Sequence, residues 1–198
     1  TSAVYMDFDG DGLIDTKIQV LQFSEIGRLG SEKTGNLFSA EPGFSLAITL
    51  INPESRGKIS ISDNETDIDP FYLSTDQDRS TIKKSLKFCL QLLSSPPLDE
   101  FVKEIIDYDL IKNTPLEYAK SNLFSGYHLI GGACASKSQF KSVVDEKLKV
   151  RNVSGLYVCD ASVLSTYVSS NIHASVILLS DSFAKNFINE KNNIREKG

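Results

Sequence analysis

Residues 155–160, GLYVCD, make a short apolar run that ends on an acid. After a polar turn containing Ser169, Ser170 and Asn171, a long apolar stretch extends from about Ile172 to Ile188. The first segment has the length of a strand and the second that of a buried helix. Strand, loop and helix in this order is how an α/β sheet builds a ligand site beyond the carboxyl end of a strand. The chain from residue 126 on also holds both histidines, His128 and His173.

The first two thirds have a different pattern. Apolar residues flank an acidic loop between Ala3 and Phe23, and residues 17–23 alternate, which predicts a hairpin with the loop at its tip. Residues 24–42 read as loop. Residues 44–51 and 58–61 read as strands joined by NPESRG, whose turn-forming Asn, Pro and Gly predict a second antiparallel pair. Ser74-Thr75-Asp76-Gln77 has the form of a capping box, and Ile82, Leu86, Leu90 and Leu93 follow at helical spacing, so a helix is expected over 75–93, ended by Pro96 and Pro97. A shorter helical pattern covers 98–106. Thr114, Pro115 and Glu117 place a cap, a first-turn proline and an acid for another helix to about Asn122.

Composition narrows the function. With a net charge of −5 and a pI near 5.1, and with Lys and Arg scattered among acids, the 198-residue chain lacks the basic stripe of a nucleic-acid binder. A small molecule or a protein is the expected partner. Cys89, Cys134 and Cys159 are odd in number and lack C-x-x-C spacing, so they read as reduced residues. No apolar run is long enough to span a bilayer, and no leader pattern opens the sequence, so a soluble, cytoplasmic protein is expected.

The acidic loop, MDFDGDGLID, places Asp7, Asp9, Asp11 and Asp15 around Gly12, an order in which a tight turn can direct several carboxylates onto one hard cation. It is similar to short calcium loops at hairpin tips, with the Leu13 carbonyl as a further ligand. An EF-hand would also need a glutamate where Ile18 stands. Calcium and a solvated acidic turn both remain open.

The run VVDEKLKVRNVSGLYVCDASVLSTYVSSNIHASVILL, from residue 143, closely resembles the C-terminal signature of the glucose, methanol and choline (GMC) oxidoreductases. Upstream, LINPESRGKISI resembles the family's PxSRGxVxL segment and IDPFYLSTDQD its IDPxYLxxPxD segment, while GYHLIGGACA occupies the place of HPxGTxxMG. Order and spacing extend the resemblance over roughly residues 17–190. Leu129, Gly132 and Ala135 stand where the family motif has proline, threonine and methionine. The chain has no G-x-G-x-x-G turn, so the resemblance is to the C-terminal part of such a protein.

The resemblance implies FAD as cofactor and an alcohol or polyol as substrate. Oxidising an alcohol by hydride transfer requires that the hydroxyl proton be removed by a base within hydrogen-bond reach. His128 aligns with the catalytic histidine, and an imidazole can take that proton at neutral pH. Without the motif, a lone histidine would read as a satisfied structural residue. Asn171 aligns with the second catalytic position, where its amide would hold the substrate oxygen; it also reads as the N-cap of a helix starting at Ile172. The helix start, Asn171 and Ile172, would face the flavin, and Asp160 and Ala161 in CDAS align with residues beside the cofactor. His173, on a buried-looking helix, matches no catalytic position. Cys134 and Cys159 read as small core residues.

The expected fold is α+β: an acidic-loop lead-in at 1–16, a substrate-binding domain of mixed antiparallel sheet and helices at 17–125, a segment at 126–191 that completes an FAD-binding α/β domain, and a tail at 192–198. The expected activity is FAD-dependent oxidation of a CH–OH group, shared with an N-terminal FAD-binding half outside these residues. The alternatives are a hydroxynitrile lyase on the same fold and a calcium-stapled binding fragment.

Overall fold

A computed structural model describes residues 2–25, 38–63, 65–137 and 142–195. It divides into two compact units, Thr1–Phe124 and Ser125–Gly198. Among the described residues no helix is long and apolar enough to cross a membrane. Helices and antiparallel strands together give the expected α+β class.

In the first unit, β1 (Ala3–Met6) and β2 (Thr16–Leu21) form the predicted hairpin around the acidic loop, with Val4 opposite Ile18. The next strand, β3 (Ser45–Leu50), does not pair with its successor as expected. It joins β2 instead, Ile18 opposite Ile48, to complete a three-stranded sheet. β4 (Lys58–Ser62) pairs with β5 (Glu65–Asp69), a strand the sequence pattern did not reveal, in a separate ribbon. The reason lies in the NPESRG connection, which a distant helix holds. The Asp78 carboxylate accepts hydrogen bonds from Glu54 N at 2.8 Å, Ser55 N at 2.9 Å and the Ser55 hydroxyl. A turn anchored outward in this way cannot fold β4 back onto β3.

Helix α1 (Asp76–Leu93) spans almost the predicted residues. The N-cap is Thr75, one residue after the Ser74 of the expected capping box, its hydroxyl accepting from Asp78 N at 3.2 Å; the Gln77 amide donates to Asp9 and the Asp78 carboxylate serves residues 54 and 55, so neither closes a box. Leu86 packs with Leu73 and Ala119, and Ile48, Leu50, Ile82 and Leu116 surround them. Polar groups lie inside as well: the Thr16 and Ser85 hydroxyls meet at 3.2 Å, and Ser85 also donates to the Thr81 carbonyl. The helical pattern over 98–106 yields only a 3-10 turn, Leu98–Glu100; Phe101 beyond it is largely exposed, so the apolar positions gain little burial by continuing. Short helices α2 (Tyr108–Asn113) and α3 (Pro115–Asn122) follow. Thr114 precedes Pro115 as expected, yet its hydroxyl donates back to the Leu110 carbonyl at 3.1 Å and does not cap α3. Of the loop expected over 24–42, residues 26–37 lie outside the described residues; the rest holds a bridge between Glu25 and Phe38.

The second unit is built on α4 (His173–Arg195) and the irregular segments packed against it. Val144, Leu148 and Val163 are buried, with Ala135, Val158, Leu179 and Phe183 around them. Tyr157 contacts both Phe183 and Phe187, one turn apart on α4, with ring centroids at 5.7 and 5.3 Å. The expected strand at 155–160 is reduced to a bridge. Tyr157 pairs antiparallel with Lys149, Val150 N donates to Leu156 O and Val158 N to Leu148 O, so among the described residues it has one neighbouring segment. The helix also runs beyond the expected end at Ile188, and Ile177 and Leu178 are exposed, so it is apolar on more than its buried face.

Candidate active site

The residues singled out in the last third all fall in the second unit, where backbone hydrogen bonds set the first part of the site. Ala133 N donates to Ser162 O and Ala135 N to Val163 O, each at 2.9 Å, so the segment after His128 lies along the turn after Asp160. A Cβ on Gly131 would lie 3.8 Å from Leu164 O and one on Gly132 3.9 Å from the Ser162 Cβ, ordinary contact distances, so space does not demand glycine at either position. What favours glycine at 131 is its φ of +90°, a conformation L-residues adopt rarely. Two segments thirty residues apart in sequence therefore form one structural element.

Asp160 is the N-cap of the 3-10 turn Ala161–Val163, its carboxylate accepting from Ser162 N at 2.7 Å. Hydrogen bonds from the Ser162 side chain and backbone hold its pKa below the usual aspartate value. The carboxylate is exposed and Ala161 half-buried, so the acid stays ionised and open to solvent.

His128 is half-buried in the loop that follows α3. Tyr127 before it has φ +60° and is 86% exposed, and its N–H donates to the Ser125 hydroxyl at 3.0 Å. A bulky residue in the left-handed region is uncommon, although Phe71, Leu73 and Leu148 adopt it here as well. The sequence pattern gave no sign of it.

The N-cap expectation for Asn171 is corrected. The first helical residue is His173, so the cap position belongs to Ile172, whose carbonyl accepts from Val176 N at 2.9 Å. Ile172 is 8% exposed. Burying an isoleucine is worth ~1.5–3 kcal/mol, against ~1 kcal/mol for a polar cap, so the apolar residue takes the slot. Asn171 is left exposed one residue earlier. Any contact Ile172 makes with a ligand runs through its backbone. His173 is exposed, contrary to the buried-helix expectation. Among the described residues, His128 and Asn171 share no hydrogen bond.

One further residue escaped the pattern. Arg151, half-buried, donates from Nε to the Ser142 hydroxyl at 2.9 Å and from its guanidinium to the Ser136 carbonyl, fixing the end of the segment that follows His128. The run around it, KVRNV, is itself mixed polar and apolar, so nothing in the sequence set Arg151 apart. Cys134 and Cys159 are half-buried; Cys89, in the first unit, is buried, and burial pushes its thiol up to about 12.

In the first unit the acidic loop is closed on itself. Asp7 accepts from Gly10 N at 2.6 Å and Gly12 N at 2.9 Å, and these bonds keep its pKa below the ordinary value. Asp15 accepts from Phe8 N at 2.6 Å, Asp9 from Asp11 N at 3.2 Å and from the Gln77 amide, and Asp11 from Leu13 N at 2.7 Å. Asp7, Asp9 and Asp15 each bring one oxygen within 4.8 Å of the others, but Asp11 does not join them, so the expected four-carboxylate set is not formed. Each carboxylate satisfies N–H groups of its own turn, which is the pattern of a solvated acidic hairpin tip.

A family model described as GMC oxidoreductase matches residues 53–180. Pyridoxine 4-oxidase of Microbacterium luteolum is 30% identical over 149 residues, covering 73% of this chain and 29% of that protein. Oxygen-dependent choline dehydrogenase of Vibrio vulnificus is 32% identical over 150 residues, covering 70% and 26%. The chain thus spans less than a third of the length of these curated relatives. A formate oxidase variant from Aspergillus oryzae superposes with a TM-score of 0.76 at 20% identity, covering 94% of this chain and 33% of that one. That likeness establishes the fold.

Proposed function

The chain belongs to the GMC oxidoreductase family, and on that premise we propose that it is the C-terminal part of an FAD-dependent enzyme that oxidises the CH–OH group of a small alcohol to a carbonyl. The observation that carries this reading is the hydrogen-bonded pairing of residues 133–135 with residues 162–163, which links the loop of His128 to the turn of Asp160. Both segments lie within the family match.

The residues fit a flavin on chemical grounds. A 23-residue helix begins at His173 with no acid in its first turn, so its positive N-terminal end is not neutralised by its own side chains and favours negative charge beside it. The Asp160 carboxylate is ionised and exposed, suited to hydroxyl groups of a ribityl chain or ribose. Asp160, Ala161, Asn171 and the backbone of Ile172 would hold the cofactor. The glycine-rich pyrophosphate turn is assigned to polypeptide outside these residues. When bound, FAD supplies the hydride acceptor.

The chain's own residues supply the proton chemistry. The His128 imidazole accepts the proton of the substrate hydroxyl, and the Asn171 amide donates to the same oxygen to orient it. Half-burial of His128 keeps the base partly shielded from water. Arg151 holds residues 136 and 142, at the far end of the segment that follows His128.

A longer natural polypeptide that includes these residues is expected to purify yellow and to bleach when an alcohol is added without oxygen. The 198 residues alone are expected to hold FAD weakly. Tight, stoichiometric FAD on the 198 residues, or a longer polypeptide without flavin, contradicts the reading. Flavin that binds but never bleaches with any alcohol would favour a lyase on the same fold.

A further inference from the structure

The β4–β5 ribbon has two faces of opposite character. Its register places Ile59 opposite Ile68 and Ile61 opposite Thr66, and these four side chains share one face; Lys58, Ser60, Ser62, Glu65, Asp67 and Asp69 share the other. Such strict alternation belongs to a strand with one face in a core. Yet Ile59, Ile61 and Ile68 are 62, 79 and 59% exposed. A lone two-stranded ribbon is also marginal in water, needing a further strand or a packed face for stability.

The ribbon is nevertheless firmly rooted. A Cβ on Gly57 would come within 2.5 Å of the Asp69 carbonyl, so glycine there lets the two strand ends close on each other. Ser55, two residues earlier, is held by Asp78, and its hydroxyl accepts from Ser74 N at 2.9 Å. The apolar face is therefore presented from a fixed base.

We infer that the Ile59, Ile61 and Ile68 face is a seam, covered in the complete protein by an uncharged apolar surface of the same polypeptide beyond these 198 residues. This rests on the reading of the chain as part of a longer enzyme. The relatives it matches are more than three times the length of the aligned segment, so the covering chain is at hand. The size of the face argues for an intramolecular partner. Three isoleucines offer on the order of 300 Å², whereas a stable interface between separate chains takes roughly 800 Å² from each side. Within one polypeptide, effective concentration removes that requirement. The face carries no charge, so its cover carries none.

Hydrogen exchange at the amides of residues 58–62 and 65–69 tests the seam, comparing the longer natural polypeptide with the 198 residues. Exchange slower by about a hundredfold in the longer polypeptide is expected, together with a Tm drop of roughly 2–5 °C on Ile61→Asp there and almost none in the 198 residues. Equal exchange in both forms overturns the inference. So does a dimer of the 198 residues in sedimentation that Ile61→Asp dissolves, since the cover would then be a second copy. If Ile61→Asp prevents folding of the longer polypeptide, the exchange comparison on the unmutated proteins still decides. FAD content is read on the same samples: a protected ribbon without flavin keeps the seam and refutes the enzyme reading, and bound flavin with an unprotected ribbon does the reverse.

Discussion

Replacing Asp78 with alanine removes a carboxylate that is 3% exposed and accepts three hydrogen bonds, two from backbone N–H groups and one from the Ser55 hydroxyl. Bonds to a charged acceptor are worth ~1.5–3 kcal/mol each, but Glu54 is exposed and Ser55 only half-buried, so water takes over part of what is lost; the expected cost is about 2–4 kcal/mol. Asp78→Asn keeps one acceptor oxygen and turns an amide N–H toward the second donor, so it should cost about half as much. Urea unfolding of the 198 residues, followed by circular dichroism, measures both. With a slope of ~2 kcal/mol per molar, the alanine variant's midpoint should fall by roughly 1–2 M. Ser55→Ala, which removes the hydroxyl's bond to Asp78 and the acceptor of Ser74 N, should also lower the midpoint, by less than the alanine variant at 78. An alanine variant within about 1 kcal/mol of the parent would show that the 54–55 turn is held by something other than this carboxylate.

Gly57→Ala forces a Cβ against the Asp69 carbonyl and the Pro70 backbone, which cannot yield as a side chain end can, and should destabilise by ~1–3 kcal/mol in the same assay. Cys89, buried and with its thiol pushed up to about 12, should resist thiol reagents at neutral pH while Cys134 and Cys159 react, and should become reactive only on unfolding. Asp160 has a folded pKa below its unfolded value, so its contribution is present above about pH 4 and lost as the pH falls through the lowered value. Asp160→Asn should therefore flatten the acid limb of stability measured as urea midpoint against pH.

The parts of the fold legible in the sequence are those where local pattern and tertiary packing agree. The spacing of Ile82, Leu86 and Leu90 gave α1, and Leu86 is buried with Ile82 packed beside it, but the helix also buries Asp78, Thr81, Ser85 and Cys89, a mostly polar set the apolar spacing does not show. The pairing of β3 was misjudged because NPESRG has good turn chemistry, and only a carboxylate more than twenty residues away reveals that the turn is held open. β5 was invisible: Glu65, Asp67 and Asp69 alternate with Thr66 and Ile68, so the strand is mostly acidic and its apolar face is too sparse to stand out. In the candidate site, the segment resemblance singled out His128 and Asp160 as candidates, but which segments lie together comes from backbone bonds such as Ala133 to Ser162, which have no side-chain signature. The cap at Ile172 was missed for a different reason, since capping preference is local and the burial that outweighed it is not.

Anaerobic stopped-flow reduction of flavin in the longer polypeptide, with a substrate alcohol and full FAD occupancy in every variant, tests the central claim most directly. With His128 as the base, His128→Ala should slow reduction by about 10² to 10⁴. Asn171→Ala should cost less, since it removes one hydrogen bond from an exposed residue that does not occupy the helix cap. His173→Ala should leave the rate nearly unchanged. Normal reduction in His128→Ala alongside a crippled His173→Ala would contradict the assignment of the base and the mechanism built on it.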